Sequence, residues 1–69
     1  MMIRVTDIER ITHYLAPSAI ATISVAGESS QWHGVRSFVR TFDKRVYECR
    51  ETADEIVSML DAALGKDAT

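Results

Sequence analysis

The residues best suited to binding lie in segment 35–42, where arginine alternates with phenylalanine. Successive side chains of a strand point to opposite faces, so one face carries Arg36, Phe38, Arg40 and Phe42. Guanidinium groups bind phosphate or carboxylate, and aromatic rings stack on bases or on other side chains. We call these four residues the Arg/Phe face. The opposite face carries small and β-branched residues, which are typical of a protein core.

Three interpretations of the Arg/Phe face are open at this stage. The phenylalanines belong to the core while the arginines extend to solvent, or the face pairs with its copy in a homodimer, or it binds a partner or ligand. Trp32 and His33 lie in a polar loop between two glycines, and binding groups often lie on loops. Trp32 either anchors a partner or fills one end of the core. The predicted binding residues are Trp32, His33, Arg36, Phe38, Arg40 and Phe42.

Residues able to perform catalysis or hold a metal are few and scattered. His13, His33 and Cys49 lack the tight spacings of zinc sites, and no glycine-rich phosphate loop is present. A Cys–His nucleophile pair would need a proximity that spacing does not indicate. Cys49 falls on a predicted strand and is expected to be a small buried hydrophobe. We therefore predict no enzyme activity, no metal and no cofactor.

The composition indicates one small domain. The chain has 69 residues, of which 46% are hydrophobic, so it resembles a folded protein more than a disordered one. Domains of this size have marginal cores, and shared burial between two subunits is a common remedy. The number of large apolar side chains therefore favours a homo-oligomer.

Charge and targeting signals limit the class of partner. The net charge of −2 argues against nucleic-acid or membrane binding driven by net charge alone. Five basic and two acidic residues lie in 36–50, whereas five acidic residues and one lysine lie in 51–69, which predicts a basic hairpin beside an acidic helix. No apolar run resembles a signal peptide or a membrane span, and the lone cysteine implies no internal disulfide. A cytoplasmic location is expected.

Alternation and turn residues predict a sheet. Strands are expected at 3–6, 20–25, 35–42 and 45–50, with a polar loop at 26–34. Segment 7–15 fits either a helix capped by Thr6 and Glu9 or a turn followed by a strand at 11–15, and the strand is favoured. Lysine is costly at a positive φ, so the Asp43–Lys44 turn predicts a longer loop with a bulge.

The last element is a helix over 52–64. Thr52 and Glu55 form a capping box, and Gly65 is placed to end the helix. One helical stripe carries the apolar residues Ala53, Ile56, Val57, Leu60, Ala63 and Leu64. The fold class is thus α+β: a small antiparallel sheet of four to five strands packed against one C-terminal helix. We assign residues 1–65 to this domain and 66–69 to a frayed tail.

Short segments along the whole chain carry a family resemblance. They are residues 2–6, residues 15–20 around Pro17, the Asp43–Lys44 turn, and Arg50-Glu51-Thr52 before the Ile-Val-Leu helix. With these the chain resembles the short flagellar and swarming-motility regulators of FlbD type, and similar small bacterial or phage proteins. It departs from them at Ala16, where asparagine is usual, at Lys44, where glycine is usual, and in its long 26–34 loop. The resemblance implies a small sheet-plus-helix fold.

These observations lead to two functional hypotheses. The first is a small non-enzymatic regulatory or inhibitory protein that acts by protein–protein binding as a homodimer. The alternative is a nucleotide- or nucleic-acid-binding protein that uses the Arg/Phe face.

Overall fold

The computed structural model describes residues 2–65 and has the predicted α+β architecture. Five strands form two antiparallel sheets, one of two strands and one of three, and a C-terminal helix packs beside them. The elements are β1 (Ile3–Thr6), β2 (Thr12–Leu15), a 3-10 turn (Pro17–Ala19), β3 (Ile20–Val25), α1 (Glu28–Gln31), β4 (Ser37–Thr41), β5 (Val46–Cys49) and α2 (Ala53–Ala63). The predicted tail at 66–69 lies outside the described residues.

The structure decides the ambiguous segment 7–15 in favour of a strand. A turn follows β1, and β2 then returns antiparallel to it, so that Ile3 pairs with Leu15 and Thr6 with Thr12. The helical alternative was wrong because hairpin pairing to β1 satisfies the backbone of this segment. Segment 26–34 also differs from the prediction, since this polar loop contains the single helical turn α1, with Gly27 as its N-cap residue.

Both hairpins have three residues between the last hydrogen-bonded pair of their strands, which is Asp7–Ile11 in the first and Thr41–Arg45 in the second. In the first, the Arg10 N–H donates to the Asp7 carbonyl at 2.9 Å, and in the second the Lys44 N–H donates to the Thr41 carbonyl at 3.0 Å. The last residue of each turn is left-handed, with a φ of 68° at Arg10 and 70° at Lys44. This is a type I turn followed by a bulge residue, so the bulge predicted at the second turn is confirmed.

The helix α2 begins and ends as predicted. The Thr52 hydroxyl accepts from the Glu55 N–H at 3.1 Å, and the Glu55 carboxylate accepts from the Thr52 N–H at 2.8 Å. Gly65 follows the helix with a φ of 67°. The buried apolar stripe of α2 is narrower than predicted, because Val57 and Leu64 are exposed. Val57 lies about 100° around the helix from the fully buried Ile56, which turns it away from the sheets.

The core lies between the inner faces of the two sheets and α2. Six buried residues pack together: Ile3, Val5, Leu15, Val39, Cys49 and Ile56. Partly buried side chains from β3, β5 and α2 extend this cluster, among them Ile23, Tyr47 and Leu60. The three-stranded sheet is therefore covered on its inner face.

Glycine at either left-handed turn position should stabilise the fold. Arg10→Gly and Lys44→Gly should each raise the free energy of unfolding by about 0.5–1 kcal/mol, because glycine has no Cβ to oppose a positive φ. Chemical denaturation measures this change. Glu9→Gly is the matched control, since Glu9 is exposed in the same turn without a positive φ. If all three variants were destabilised alike, the left-handed residues would not be under strain.

Candidate binding surface

The alternation predicted for segment 35–42 is confirmed. Val35, Ser37, Val39 and Thr41 are all buried, and Val39 has no exposed surface. On the other face Arg40 is exposed, Phe38 is half-buried, and Phe42 is 72% exposed. Since Phe42 lies in solvent, the interpretation that places it in the core is wrong. The Arg/Phe side of β4 points away from the residues that pack against α2.

Strand pairing defines the surface around these side chains. Cross-strand partners share a face of a sheet, and β4 is the central strand. Phe38 lies between Ser24 and Glu48, and Arg40 lies between Thr22 and Val46. The outer sheet face is therefore formed by Thr22, Ser24, Phe38, Arg40, Val46 and Glu48. Four of the six are exposed, and Phe38 and Ser24 are partly exposed, so this face is open in the described part of the chain.

Arg36 does not join Arg40, contrary to the expected convergence of the arginines. The Arg36 N–H donates to the Cys49 carbonyl at 2.8 Å, although the strand register pairs Cys49 with Ser37. Arg36 precedes β4, and this bond departs from the regular ladder at the start of the strand. Arg36 lines a cleft of about 340 Å³ together with Val25, Gln31 and the first turn of α2. Arg40 lines a different cleft.

Trp32 and His33 lie on the surface after α1. The Trp32 N–H donates to the Glu28 carbonyl at 3.3 Å, which places Trp32 at the end of this helical turn. Its side chain is 85% exposed, so the alternative in which it fills the core is wrong. His33 is also exposed. A role for Trp32 as an interface anchor stays a prediction.

A second cleft at the β4–β5 hairpin brings Lys44 together with Arg40 and Arg45. Its volume is about 260 Å³, and its lining residues are Ala21, Thr22, Arg40, Thr41, Lys44, Arg45 and Val46. The side chains of Arg40 and Lys44 form no hydrogen bond or ion pair within residues 2–65. Lys44 and Arg45 belong to the hairpin turn, where the chain reverses direction. The predicted hairpin therefore already indicated that these two residues lie near Arg40.

His13 pairs with a carboxylate that also shapes the first turn. The His13 Nε2 lies 2.8 Å from the Asp7 Oδ2, while the Asp7 Oδ1 accepts from the Glu9 and Ile11 N–H groups at 2.8 and 2.9 Å. The hydrogen bond with His13, followed by the one from Ile11, holds the pKa of Asp7 below its ordinary value. The His13 ring also packs against Tyr47, with centroids 5.0 Å apart. These contacts give His13 a structural role in the hairpin.

Cys49 is buried, as expected from the sequence. Its side chain has no exposed surface, and its Sγ donates to the Tyr47 carbonyl at 3.6 Å. Burial, with a smaller contribution from the nearby Glu51 charge, raises the pKa of the thiol to about 11. Such a thiol is a poor nucleophile at neutral pH. Within residues 2–65 no three His, Cys, Asp or Glu side chains are grouped so that they could hold a metal ion.

Comparisons with known proteins do not assign this surface. No family model, curated protein or solved structure matches the chain. The resemblance to the FlbD-type regulators therefore stays a prediction from its short segments. No helix of the described residues is long and apolar enough to cross a membrane.

The buried thiol should resist alkylation in the folded protein. At pH 8 a pKa of about 11 leaves about a hundredfold less thiolate than a thiol of pKa about 9 would have, and burial slows access further. Mass spectrometry after timed iodoacetamide treatment measures the rate. The same protein in denaturant is the control and should react as an ordinary thiol. A native rate within about tenfold of the denatured rate would show that Cys49 is accessible and ionised.

Proposed function

We propose that this chain is a small non-enzymatic regulatory protein that binds another protein through its outer sheet face and acts as a homodimer. The observation that carries this proposal is the open outer face of the three-stranded sheet. The inner face is buried against the core cluster, whereas Arg40 and Val46 stand exposed on the outer face beside Phe38. A regulator that masks or reshapes a partner needs such a surface and no reacting group.

The chemistry of the outer face suits a protein partner. Protein interfaces combine an apolar centre with polar groups at the rim, and aromatic residues and arginine are enriched in them. Here the half-buried Phe38 is flanked by Arg40 and Glu48, and the exposed ring of Phe42 lies just beyond the end of β4. Charges of both signs beside apolar groups favour a surface of similar mixed character on the partner.

The reactive side chains support a non-enzymatic role. Cys49 is enclosed in the core with a raised pKa, and His13 is engaged by Asp7 and Tyr47. Neither is presented to a substrate at the outer sheet face. The exposed His33 side chain forms no hydrogen bond with a nucleophile among the described residues.

Exposed apolar side chains support the homodimer. Among the described residues the large exposed ones are Met2, Ile11, Tyr14, Val25, Trp32, Phe42, Val46, Val57 and Leu64. For so small a core, association is a common way to cover such groups. Val57 and Leu64 are seven residues apart, so they share one side of the C-terminal helix. That side offers the two copies a contact that does not compete with the outer sheet face.

Removing one exposed ring should abolish partner binding. We expect Phe42→Ser, and the charge reversal Arg40→Glu, to prevent capture of a protein that the wild-type chain retains from its native cell extract. Tyr14→Ser is the matched control, since Tyr14 is 63% exposed on the other sheet and should leave capture unchanged. Quantitative mass spectrometry of the captured proteins provides the measurement.

Two outcomes would contradict partner binding at this face. In the first, Phe42→Ser and Tyr14→Ser retain the same proteins in the same amounts. In the second, the captured material is nucleic acid and is released steeply as salt rises, which is the behaviour of phosphate contacts and supports the nucleic-acid alternative.

The homodimer has a separate test. Light scattering after size exclusion should give the wild-type chain twice the mass of one chain. Val57→Asp should give a monomer, because it places a charge within the apolar contact. Ser58→Asp is the matched control, because Ser58 is the next residue of the helix and is also exposed. This variant should remain dimeric. A wild-type chain that is monomeric at every concentration would contradict the homodimer.

A further inference from the structure

The cleft at the β4–β5 hairpin has the character of an anion site. We infer that it binds a phosphate-containing small molecule of the diphosphate type through Arg40, Lys44 and Arg45. We call it the basic cleft. The basic cleft adjoins the outer sheet face and shares Thr22, Arg40 and Val46 with it, whereas Lys44 and Arg45 belong to the cleft alone. A small anionic ligand goes beyond the proposed function, which concerns a protein partner.

The geometry gathers donors from three parts of the chain. β3 contributes Thr22, β4 contributes Arg40, and the hairpin turn contributes Lys44 and Arg45. The strand register changes between Ile20 and Thr22, so β3 carries an irregularity beside the cleft. The resulting volume of about 260 Å³ is larger than that of a single water molecule. All of the lining residues except Thr41 are exposed, so the cleft is open to solvent.

Within residues 2–65 the cationic charge of the cleft is not balanced by carboxylates. Arg45 has a carboxylate partner, since its Nε lies 3.5 Å from the Asp43 Oδ2. That carboxylate is already engaged, because Asp43 also accepts from the Thr41 hydroxyl. The side chains of Arg40 and Lys44 have no partner within residues 2–65. Three cations and one carboxylate therefore leave a positive surplus that a multiply charged anion would neutralise.

These donor types match phosphate oxygens. The planar guanidinium of Arg40 or Arg45 can donate two parallel N–H bonds to a phosphate, and the Lys44 ammonium adds a point charge. The exposed Thr22 hydroxyl is a neutral donor at the rim. A diphosphate offers several oxygens and several negative charges, so it can engage donors that are spread over two strands and a turn.

The backbone of Lys44 supplies an independent argument. Lys44 holds a φ of 70°, a conformation that glycine adopts without cost, yet the residue there is a lysine whose side chain lines the cleft. Residues held in such strained conformations cluster at functional sites. Arg10 has the same backbone geometry in the first hairpin but lines neither cleft. The two hairpins thus form an internal comparison.

Titration with pyrophosphate tests the inference. In two-dimensional ¹H–¹⁵N NMR at low salt, pyrophosphate should shift the amide signals of Thr22, Arg40, Lys44 and Arg45 in a saturable manner. Lys44→Gly should raise the melting temperature and yet weaken pyrophosphate affinity by about tenfold, because a charge-assisted contact is lost. Arg10→Gly should raise the melting temperature and leave the affinity unchanged.

Titrations with other ligands identify the source of the phosphate. A nucleoside diphosphate that binds with the affinity of pyrophosphate would show that the cleft recognises only the phosphates, and tighter binding would show that the base adds contacts. Both results support the inference. Shifts that do not saturate, equal affinity for sulfate, or Lys44→Gly behaving like Arg10→Gly would overturn it. Lys44 lies outside the outer sheet face, so partner capture that survives Lys44→Gly while pyrophosphate affinity falls about tenfold would separate anion binding from partner binding.

Discussion

The structure depends on one geometric constraint: a single helix can cover only one face of the three-stranded sheet. On β4 the fully buried Val39 lies between Ile23 and Tyr47 and belongs to the same buried cluster as Ile56 of α2. Because side chains alternate along a strand, burying Val39 forces Phe38 and Arg40 outward. A register slip of one residue would bury an arginine and expose the valine. The outer sheet face is therefore a consequence of how the core is built.

A small polar junction holds the sheets and the helix in this arrangement. The Thr6 N–H donates to both carboxylate oxygens of Glu51 at 2.8 and 3.0 Å, and the Arg50 N–H donates to the Thr6 carbonyl at 2.8 Å. The buried Ser37 hydroxyl donates to the Glu51 carbonyl at 2.7 Å. These bonds join the end of β1 to the segment between β5 and α2. They satisfy buried polar groups and fix where Thr52 caps the helix, and thus which face of the sheet the helix meets.

Much of this architecture could be predicted from the sequence, because it depends on interactions between neighbouring residues. The alternation around Val39, the capping box of α2 and the bulged turn at Lys44 each depend on neighbouring residues, so each was predicted. The class of fold followed from their order. The exposure of Val57 could not be predicted in the same way, because the width of an apolar stripe depends on how much of the helix the sheets contact.

The binding surface was predicted less completely, because its geometry depends on departures from regular structure. Arg36 lies before the start of β4 and lines another cleft, whereas the alternation was predicted for one regular strand through 35–42. The left-handed turn brings Lys44 and Arg45 to the cleft that Arg40 lines, although they follow it by several residues. Trp32 follows α1 and is exposed, and the composition of a loop does not decide between exposure and burial of such a ring.

The most direct test of the central claim asks what covers the outer sheet face in the cell. A photo-crosslinking phenylalanine analogue at position 42 would report the neighbour of that face, and the same analogue at position 14 serves as the reference on the other sheet. Our account predicts a covalent adduct with a different protein from position 42 and none of that adduct from position 14. Equal adducts from both positions, or none from position 42, would contradict it.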